Sequence, residues 1–244
     1  MLLFRGIHMG EVGNTSKSTV RGRPSFRVGL GARSGFQSAF PLEEKRAVLS
    51  VRRGPIRYRR NGTIVCEGDP ADYIFMVVNG IVRRCKAFQN GTRAIVAFHT
   101  PGELFGWTEE GKHVLSTEAA TDTLILFFKK SALLSLAARE QKVANVLLAS
   151  TLSELRRTQE HSLLINCTAK CRVASFLLDL SRRMGETWEV DLPMSHQDIA
   201  DHLGLSIETV SRTITDLERA CVIERASVRT IVLKNRGALG RLLN

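Results

Sequence analysis

Twenty residues near the C-terminus, 195–214, constrain the fold more than any other part of this chain. Ser195 is suited to cap a helix, and Asp198 three residues later completes the pattern of a capping box. Gly204 can supply the positive φ of a sharp turn, and Ser206 can cap a second helix. Apolar and small residues recur at helical spacing: Ile199, Ala200, Leu203, Leu205, Val210, Ile214 and Leu217. The segment therefore predicts a helix-turn-helix, a motif that places its second helix in the major groove of DNA.

The exposed face of the second helix carries side chains that can discriminate base pairs. Arg212 can donate two hydrogen bonds to a guanine, Glu208 can accept one from a cytosine, and Ile207 can pack on a thymine methyl group. Ser211 can reach a base edge or a phosphate. We therefore predict that base pairs are read by Glu208, Ser211, Arg212 and Ile207. We predict phosphate contacts for Ser206, Thr209, Thr215, Arg225 and Arg229.

Two plainer interpretations of these charges stand beside the prediction. Glu208 and Arg212 are four residues apart, so they can form an ordinary surface ion pair on a helix, which is compatible with a contact to DNA. Residues 222–233 predict two short strands joined around 226–229, a wing that carries Arg225 and Arg229. These arginines can contact phosphates, or they can be solvated charges of a turn.

Regularly spaced glycines predict an all-β unit earlier in the chain. Gly68, Gly80, Gly91 and Gly102 follow one another at intervals of 12, 11 and 11 residues, which is typical of the turns of a sandwich or barrel. Strand-forming residues lie between and after these glycines, at 73–78, 81–82, 94–98 and 124–128. The continuous apolar run 124–128 is expected to be a strand buried on both faces.

Residues 131–164 predict one long helix, because they contain neither glycine nor proline and Ser131 can cap the start. A helix of this length spans about 50 Å and needs a cover for its apolar stripe. The cover can be the β-unit of the same chain or a second copy in a two-fold seam. We favour the seam, and we assign to it Val143, Leu147, Leu148, Leu152 and Leu155.

These segments divide the chain into four parts: a basic, disordered tail (1–40), a β-roll (41–130), a dimerisation helix (131–164) and a winged helix-turn-helix unit (165–244). Residues 1–8 can be a non-native start, since Met9 can also begin the chain. The net charge of +11 favours nucleic acid as a partner. Residues 166–244 nevertheless carry 11 basic and 10 acidic residues, so the argument for DNA depends on positions rather than on total charge.

The five cysteines are odd in number and scattered, which does not indicate a disulfide framework. Cys167 and Cys171 lie where the long helix meets the DNA-binding unit, and Cys221 follows the second helix of the motif. We consider redox sensing at Cys171, Cys167 and Cys221, beside the plainer interpretation of structural thiols. Metal binding at Cys167 and Cys171 lacks two further ligands. We expect no metal, no cofactor and no catalytic residues, because no nucleophile lies in a pattern with a base.

The order of β-roll, long helix and winged helix-turn-helix resembles the CRP/FNR superfamily of bacterial regulators, and Glu208-x-x-Ser211-Arg212 is similar to the recognition motif of its FixK branch. The resemblance implies an α+β fold with a cyclic-nucleotide-binding-like roll, and a homodimer that binds an inverted repeat close to TTGAT. It also implies RNA polymerase as a partner, activation, and control of low-oxygen or nitrogen-metabolism genes, nitrogen fixation included. Because no stretch approaches the roughly 18 apolar residues that a membrane span needs, we expect the protein to be cytoplasmic. We expect no association with a membrane.

The same resemblance bears on effectors. The iron–sulfur cluster of some members is not expected, because no cysteine precedes Cys66. Gly102-Glu103 is similar to half of a cyclic AMP site, but Glu118 stands near the place of the arginine that pairs with the phosphate. We therefore expect no cyclic-nucleotide response. The alternative is the same fold switched by a small molecule or gas in the roll. An enzyme with an appended regulatory domain is a third possibility.

Overall fold

The structure is a computed structural model that describes residues 51–109 and 111–243. The tail predicted for residues 1–40 and the first ten residues of the predicted roll lie outside these described residues. Within them, no helix is long and apolar enough to cross a membrane.

The first unit is a roll of two antiparallel four-stranded sheets. One sheet has the order β1-β8-β3-β6 and the other β2-β7-β4-β5. The strands are β1 (Arg52–Tyr58), β2 (Thr63–Val65), β3 (Tyr73–Asn79), β4 (Val82–Ala87), β5 (Arg93–His99), β6 (Leu104–Phe105), β7 (Ser116–Ala119) and β8 (Thr123–Lys129). Gly80 turns the chain between β3 and β4 with a φ of +83°. The roll that glycine spacing and strand-forming residues predicted is thereby confirmed.

Strand β8 is buried on both faces, as its continuous apolar sequence predicts. On the inner face, the Phe127 ring meets that of Phe75 edge-on at 5.2 Å, and Phe75 stacks on Phe105 at the same distance. On the outer face, Leu126 and Phe128 join the cluster that two helices cover. The alternation of side chains along a strand therefore sends consecutive apolar residues into two different cores.

The long helix is interrupted, contrary to the prediction for residues 131–164. Helix α1 spans Lys130–Ala137, helix α2 spans Gln141–Leu163, and a 3-10 turn follows at Leu164–Asn166. Ser131 does not cap α1, because Lys129 occupies the capping position without a side-chain hydrogen bond. Since 138–140 contains neither glycine nor proline, tertiary packing of both helices on the roll overrides helix propensity there. Helix α2 alone is about 35 Å long.

Two residues assigned to the dimer seam belong to the core of their own chain. Val143 is 0% exposed and Leu147 is 7% exposed, and both pack in the cluster of β3 and β8. The interpretation of an apolar stripe covered by the β-unit is therefore correct for this face of α2. Leu148, Leu152 and Leu155 lie on a different face and are 59%, 54% and 52% exposed.

The C-terminal unit is a winged helix-turn-helix, as predicted. Its helices are α3 (Ala169–Arg183), α4 (His196–Leu203), α5 (Ile207–Arg219) and α6 (Arg236–Arg241). Its strands are β9 (Glu189–Asp191), β10 (Ile223–Arg225) and β11 (Thr230–Leu233), in the order β10-β11-β9. The joining of β9 to the wing strands and the final helix α6 were not predicted.

The roll and the C-terminal unit share an apolar cluster. Ile95 and Phe98 of β5 belong to the same buried cluster as Ile199 of α4 and Phe176 of α3. Helix α4, the first helix of the helix-turn-helix, therefore packs on the roll. This contact sets the position of α5 relative to the rest of the chain.

The turn at Gly80 generates a stability prediction with a matched control. A Cβ at Gly80 would lie 2.4 Å from the Asp122 carbonyl oxygen, whereas a Cβ at Gly91, whose φ is +79°, meets nothing within 4 Å. We expect Gly91→Ala to lose about 1 kcal/mol of unfolding free energy through φ strain alone. Gly80→Ala is expected to lose about 1–3 kcal/mol more through overpacking, measured by urea unfolding. Equal losses would contradict the packing argument.

Candidate nucleic-acid interface

The predicted capping box at the start of α4 is present. The Asp198 backbone N–H donates to Ser195 Oγ at 3.0 Å, and the Ser195 backbone N–H donates to Asp198 Oδ2 at 3.3 Å. Gly204 ends α4 in the left-handed region with a φ of +61°. The local sequence thus specifies both ends of this helix.

Arg172 of α3 joins the turn of the motif to the segment that follows α2, a role that sequence reasoning missed. Its Nη1 donates to the Leu203 carbonyl at 2.9 Å, and its Nη2 donates to the Ile165 carbonyl at 2.6 Å. Its Nε donates to the Cys167 carbonyl at 3.1 Å. These carbonyls belong to segments about 30–40 residues apart, so nothing local in the sequence pointed to the contact.

Helix α5 presents the predicted base-reading residues on one surface. Its N-terminus is capped by Ser206 Oγ, which accepts from the Thr209 N–H at 3.1 Å. Its opposite face is buried through Val210, Ile214 and Leu217. One open, shallow depression is lined by Ile207, Glu208, Ser211, Arg212, Thr215, Asp216, Arg219 and His196.

Three members of this surface, His196, Asp216 and Arg219, were missed from the sequence. Arg219 lies seven residues after Arg212, a helical spacing that could have indicated the shared face. His196 belongs to the first turn of α4, and only the packing of α4 against α5 brings it there.

The charges of Glu208 and Arg212 are arranged to leave the guanidinium free. Hydrogen bonds from the Glu208 backbone N–H and the Ser206 hydroxyl lower the pKa of Glu208, and the charge of Arg212 adds to the effect. No ion pair joins the two side chains, both of which lie in the described part of the chain. The plainer interpretation of these charges as a surface ion pair is therefore not what the structure shows, and the Glu208 carboxylate interacts instead with the N-terminus of α5.

Most of the side chains assigned to phosphate contacts already have partners within the chain, whereas Arg229 has no ion pair among the described residues. Thr215 Oγ1 donates to the Ser211 carbonyl at 3.0 Å, and Thr209 Oγ1 lies 3.0 Å from Ser206 Oγ. Arg225 Nε donates to Glu218 Oε2 at 2.8 Å, so its charge is compensated within the chain. Arg229 lies exposed in the turn between β10 and β11, and of the two wing arginines it is the one without an ion pair.

The three candidate redox cysteines differ in accessibility. Burial, followed by a hydrogen bond that the Cys171 thiol donates to Cys167, raises the pKa of Cys171 to about 11, which makes this thiol a poor nucleophile. Cys167 is partly exposed and Cys221 is exposed. The redox hypothesis is therefore corrected at Cys171, where burial keeps the thiol protonated. Among the described residues, no three His, Cys, Asp or Glu side chains form a possible metal site.

Two family models match this chain. The model of the cyclic nucleotide-binding domain matches residues 55–140, and the model of the Crp-like helix-turn-helix domain matches residues 171–242. The first match covers most of the roll and α1, and the second covers the DNA-binding unit.

Regulators of nitrogen fixation are similar over most of the chain. The nitrogen fixation regulation protein FixK of Azorhizobium caulinodans is 44% identical over 212 residues, 84% of either chain. FixK of Rhizobium meliloti is 38% identical over 81% of this chain and 91% of that protein. The structure of FixK2 from Bradyrhizobium japonicum has a TM-score of 0.72 and 41% identity, and covers 78% of this chain and 96% of that one.

His202 in α4 makes the stability of this arrangement sensitive to pH. Its Nδ1 lies 2.9 Å from the Ile95 carbonyl oxygen, and its ring stacks on His161 with centroids 4.4 Å apart. Burial, followed by the charge of His161, lowers the pKa of His202 to about 3. Because the unfolded chain binds this proton near pH 6.5, the stabilisation is complete above that pH and declines as the pH falls towards 3.

We expect the unfolding free energy to fall by roughly 1 kcal/mol between pH 7.5 and 5.5 through this residue. His202→Gln keeps a donor for the Ile95 carbonyl but does not titrate, so its slope over this range is expected to be smaller. Urea unfolding of both proteins at several pH values measures the difference. Parallel slopes would show that His202 is not the responsible group.

Proposed function

This chain belongs to the CRP/FNR family of transcriptional regulators, and from that membership we propose that it binds an inverted repeat close to TTGAT as a homodimer. The coarser activity, transcriptional regulation through a helix-turn-helix, comes with the family. The proposal adds the site, the residues that read it and the oligomeric state.

The observation that carries the proposal is the exposed N-terminal half of α5. Glu208, Ser211 and Arg212 lie together there, beside the exposed Ile207, while the buried face fixes the helix in place. Arginine and glutamate on one helical face can recognise guanine and cytosine of adjacent base pairs. We propose that Arg229 and the capping hydroxyl of Ser206, both exposed, supply phosphate contacts, which position a protein without reading sequence.

The exposed apolar face of α2 supports the homodimer. Leu148, Leu152 and Leu155 follow the spacing of four and three residues that a two-stranded seam uses. Exposure of three large apolar side chains on one helix to water is unfavourable, and a second copy of the chain would bury them. An inverted repeat and a two-fold dimer share the same symmetry.

A cyclic nucleotide does not fit the corresponding residues of the roll. Glu103, the carboxylate of the Gly102-Glu103 segment, is bound by Arg183 Nη2 at 2.6 Å and lies 3.3 Å from Arg157 Nη1. Glu118 Oε2 accepts from Arg83 Nη2 at 2.7 Å. Both carboxylates already have arginine partners within the chain, so we propose binding to DNA without a cyclic-nucleotide effector. The alternative is a gas or another small effector in the roll, and an affinity for DNA that increases when such a ligand is added would favour it.

We further propose that the bound dimer activates transcription by contacting RNA polymerase, at genes for low-oxygen or nitrogen metabolism. The support is the similarity to proteins named as regulators of nitrogen fixation. Transcription in vitro from a promoter with the repeat upstream tests this part. The expected result is more transcript with the protein than without it, and an unchanged level would contradict activation.

The DNA site is tested with a duplex that carries TTGAT and its inverted repeat, at fixed salt and under reducing conditions. Arg212→Ala is expected to lose about 1–3 kcal/mol of binding free energy on this duplex and much less on a scrambled one, because base contacts are lost. Fluorescence anisotropy measures both affinities.

Arg241→Ala is the matched control, since it removes the same charge from the exposed last turn of α6. It is expected to change both affinities alike. An equal loss on the two duplexes for Arg212→Ala would remove Arg212 from base reading. An arm with cyclic AMP is expected to leave the affinities unchanged, and a marked increase would overturn effector independence.

The seam is tested by replacing Leu148 and Leu152 together with glutamine. Because each buried leucine contributes about 1.5–3 kcal/mol, the double variant is expected to sediment as a monomer at concentrations where the unmodified chain is a dimer. Leu134→Gln, at another exposed leucine but on α1, is the control and is expected to remain dimeric. A double variant that stays dimeric would place the seam elsewhere.

A further inference from the structure

Charged side chains of the roll are bound directly to the first helix of the helix-turn-helix. Arg83 of β4 donates from Nη1 to both carboxylate oxygens of Asp198, at 3.0 and 3.1 Å. Arg93 of β5 donates from Nη2 to Asp198 Oδ1 at 2.8 Å, and from Nε to Asp201 Oδ2 at 2.9 Å. Two adjacent strands thus bind two acidic residues in the first turns of α4.

The centre of this cluster is buried. The Arg83 and Asp198 side chains are only 7% and 3% exposed. The remaining donors of Arg83 are used within the roll, on Glu118 and Asn61. A buried charge that loses its partner is strongly unfavourable, whereas the intact pair is tolerated. Rotation of α4 away from the roll would separate these charges, so the cluster opposes it.

A second bridge joins the two units at another place. Arg183, at the end of α3, donates from Nη2 to Glu103 Oε2 and to the Phe98 carbonyl oxygen, each at 2.6 Å. Burial alone would raise the pKa of Glu103, but the charge and hydrogen bonds of Arg183 outweigh it and lower that pKa to about 2. Two bridges at separate points restrict rotation as well as translation.

We propose that Arg83 and Arg93 are positioning residues for DNA recognition, which hold Asp198 and Asp201 so that α5 keeps a fixed angle to α2. The proposal rests on the proposed function, because α2 carries the dimer seam and the angle then determines the distance between the two copies of α5. A dimer held in this way accepts two half-sites at one spacing and disfavours others.

The angle itself can be measured without DNA. Cys66 of the roll and Cys221 of the DNA-binding unit are both exposed, so spin labels on them report the separation of the two units in a Cys167→Ser background. Labelled chains are diluted with unlabelled ones to isolate distances within one chain. Pulsed dipolar spectroscopy is expected to give a narrow distance distribution for the protein in which the contacts between the roll and α4 are intact.

The test variant combines Arg83→Met with Asp198→Asn, which removes both members of the buried pair and keeps an oxygen for the capping box. We expect the distance distribution to widen at least about twofold, since units without a strong interface move relative to one another. Arg93→Gln, at a more exposed position, carries the same test should the double variant fail to fold. Lys234→Gln breaks a surface ion pair with Glu224 in the same unit and is expected to leave the width unchanged.

The second measurement uses duplexes whose half-sites are moved one or two base pairs closer together or farther apart. The protein with intact contacts is expected to bind the duplex of one spacing with roughly tenfold higher affinity than the others. The test variant is expected to favour that duplex by no more than about threefold. Both proteins are expected to bind a single half-site equally. General destabilisation does not change a ratio between duplexes, so this readout separates positioning from a purely structural role.

The outcomes distinguish this proposal from the proposed function. A distance distribution that is already broad in the unmodified protein, or equally narrow in the variant, overturns the positioning role. A distribution that widens in the variant, together with no preference for the inverted repeat in the unmodified protein, supports the role of Arg83 and Arg93 in holding the two units and refutes the proposed DNA site.

Discussion

The carboxylate of Asp198 serves two interactions at once, and the arrangement of the two units depends on it. It accepts the Ser195 backbone N–H that completes the capping box of α4, and it accepts three hydrogen bonds from Arg83 and Arg93 of the roll. A buried carboxylate is unfavourable without its hydrogen-bond donors. The capped N-terminus of α4 and the contact of α4 with the roll therefore cannot be altered independently of each other. Asp198 is thus both a capping residue of α4 and a contact between the roll and the DNA-binding unit.

Helix α2 carries the exposed leucine face and also packs on the roll, so it connects that face to the contact between the roll and α4. Val143 and Leu147 fix one side of the helix to the sheet of β3 and β8, and Arg84 of β4 binds Glu154 at 2.8 Å further along. Beyond the end of α2, Arg172 holds the Ile165 and Leu203 carbonyls together. A continuous series of packed and hydrogen-bonded contacts therefore joins the leucine face of α2 to the turn before α5.

The roll keeps the fold of a cyclic nucleotide-binding domain, while the carboxylates of Glu103 and Glu118 are bound by arginines of the same chain. Glu103 faces the arginines of α2 and α3, and Glu118 faces Arg83. The pair of Glu103 with Arg183 is a direct contact between the roll and the DNA-binding unit. Glu118 acts within the roll, where it binds the same Arg83 that contacts Asp198 of α4. The family shares the architecture, and a family resemblance between folds does not by itself define a ligand.

The sequence by itself determined the features that depend on neighbours within a few residues: the capping box at Ser195, the turn at Gly204, the cap at Ser206 and the amphipathic face of α5. It also determined the roll, because glycine turns and runs of strand-forming residues are local patterns as well. Only the tertiary structure decided the break of the long helix at 138–140 and the burial of Val143, Leu147 and Cys171. It alone decided the pairing of Arg83 with Asp198, 115 residues apart. The physical reason is that burial and ion pairing depend on which surfaces meet, and an amphipathic stripe does not specify whether its own domain or another chain covers it.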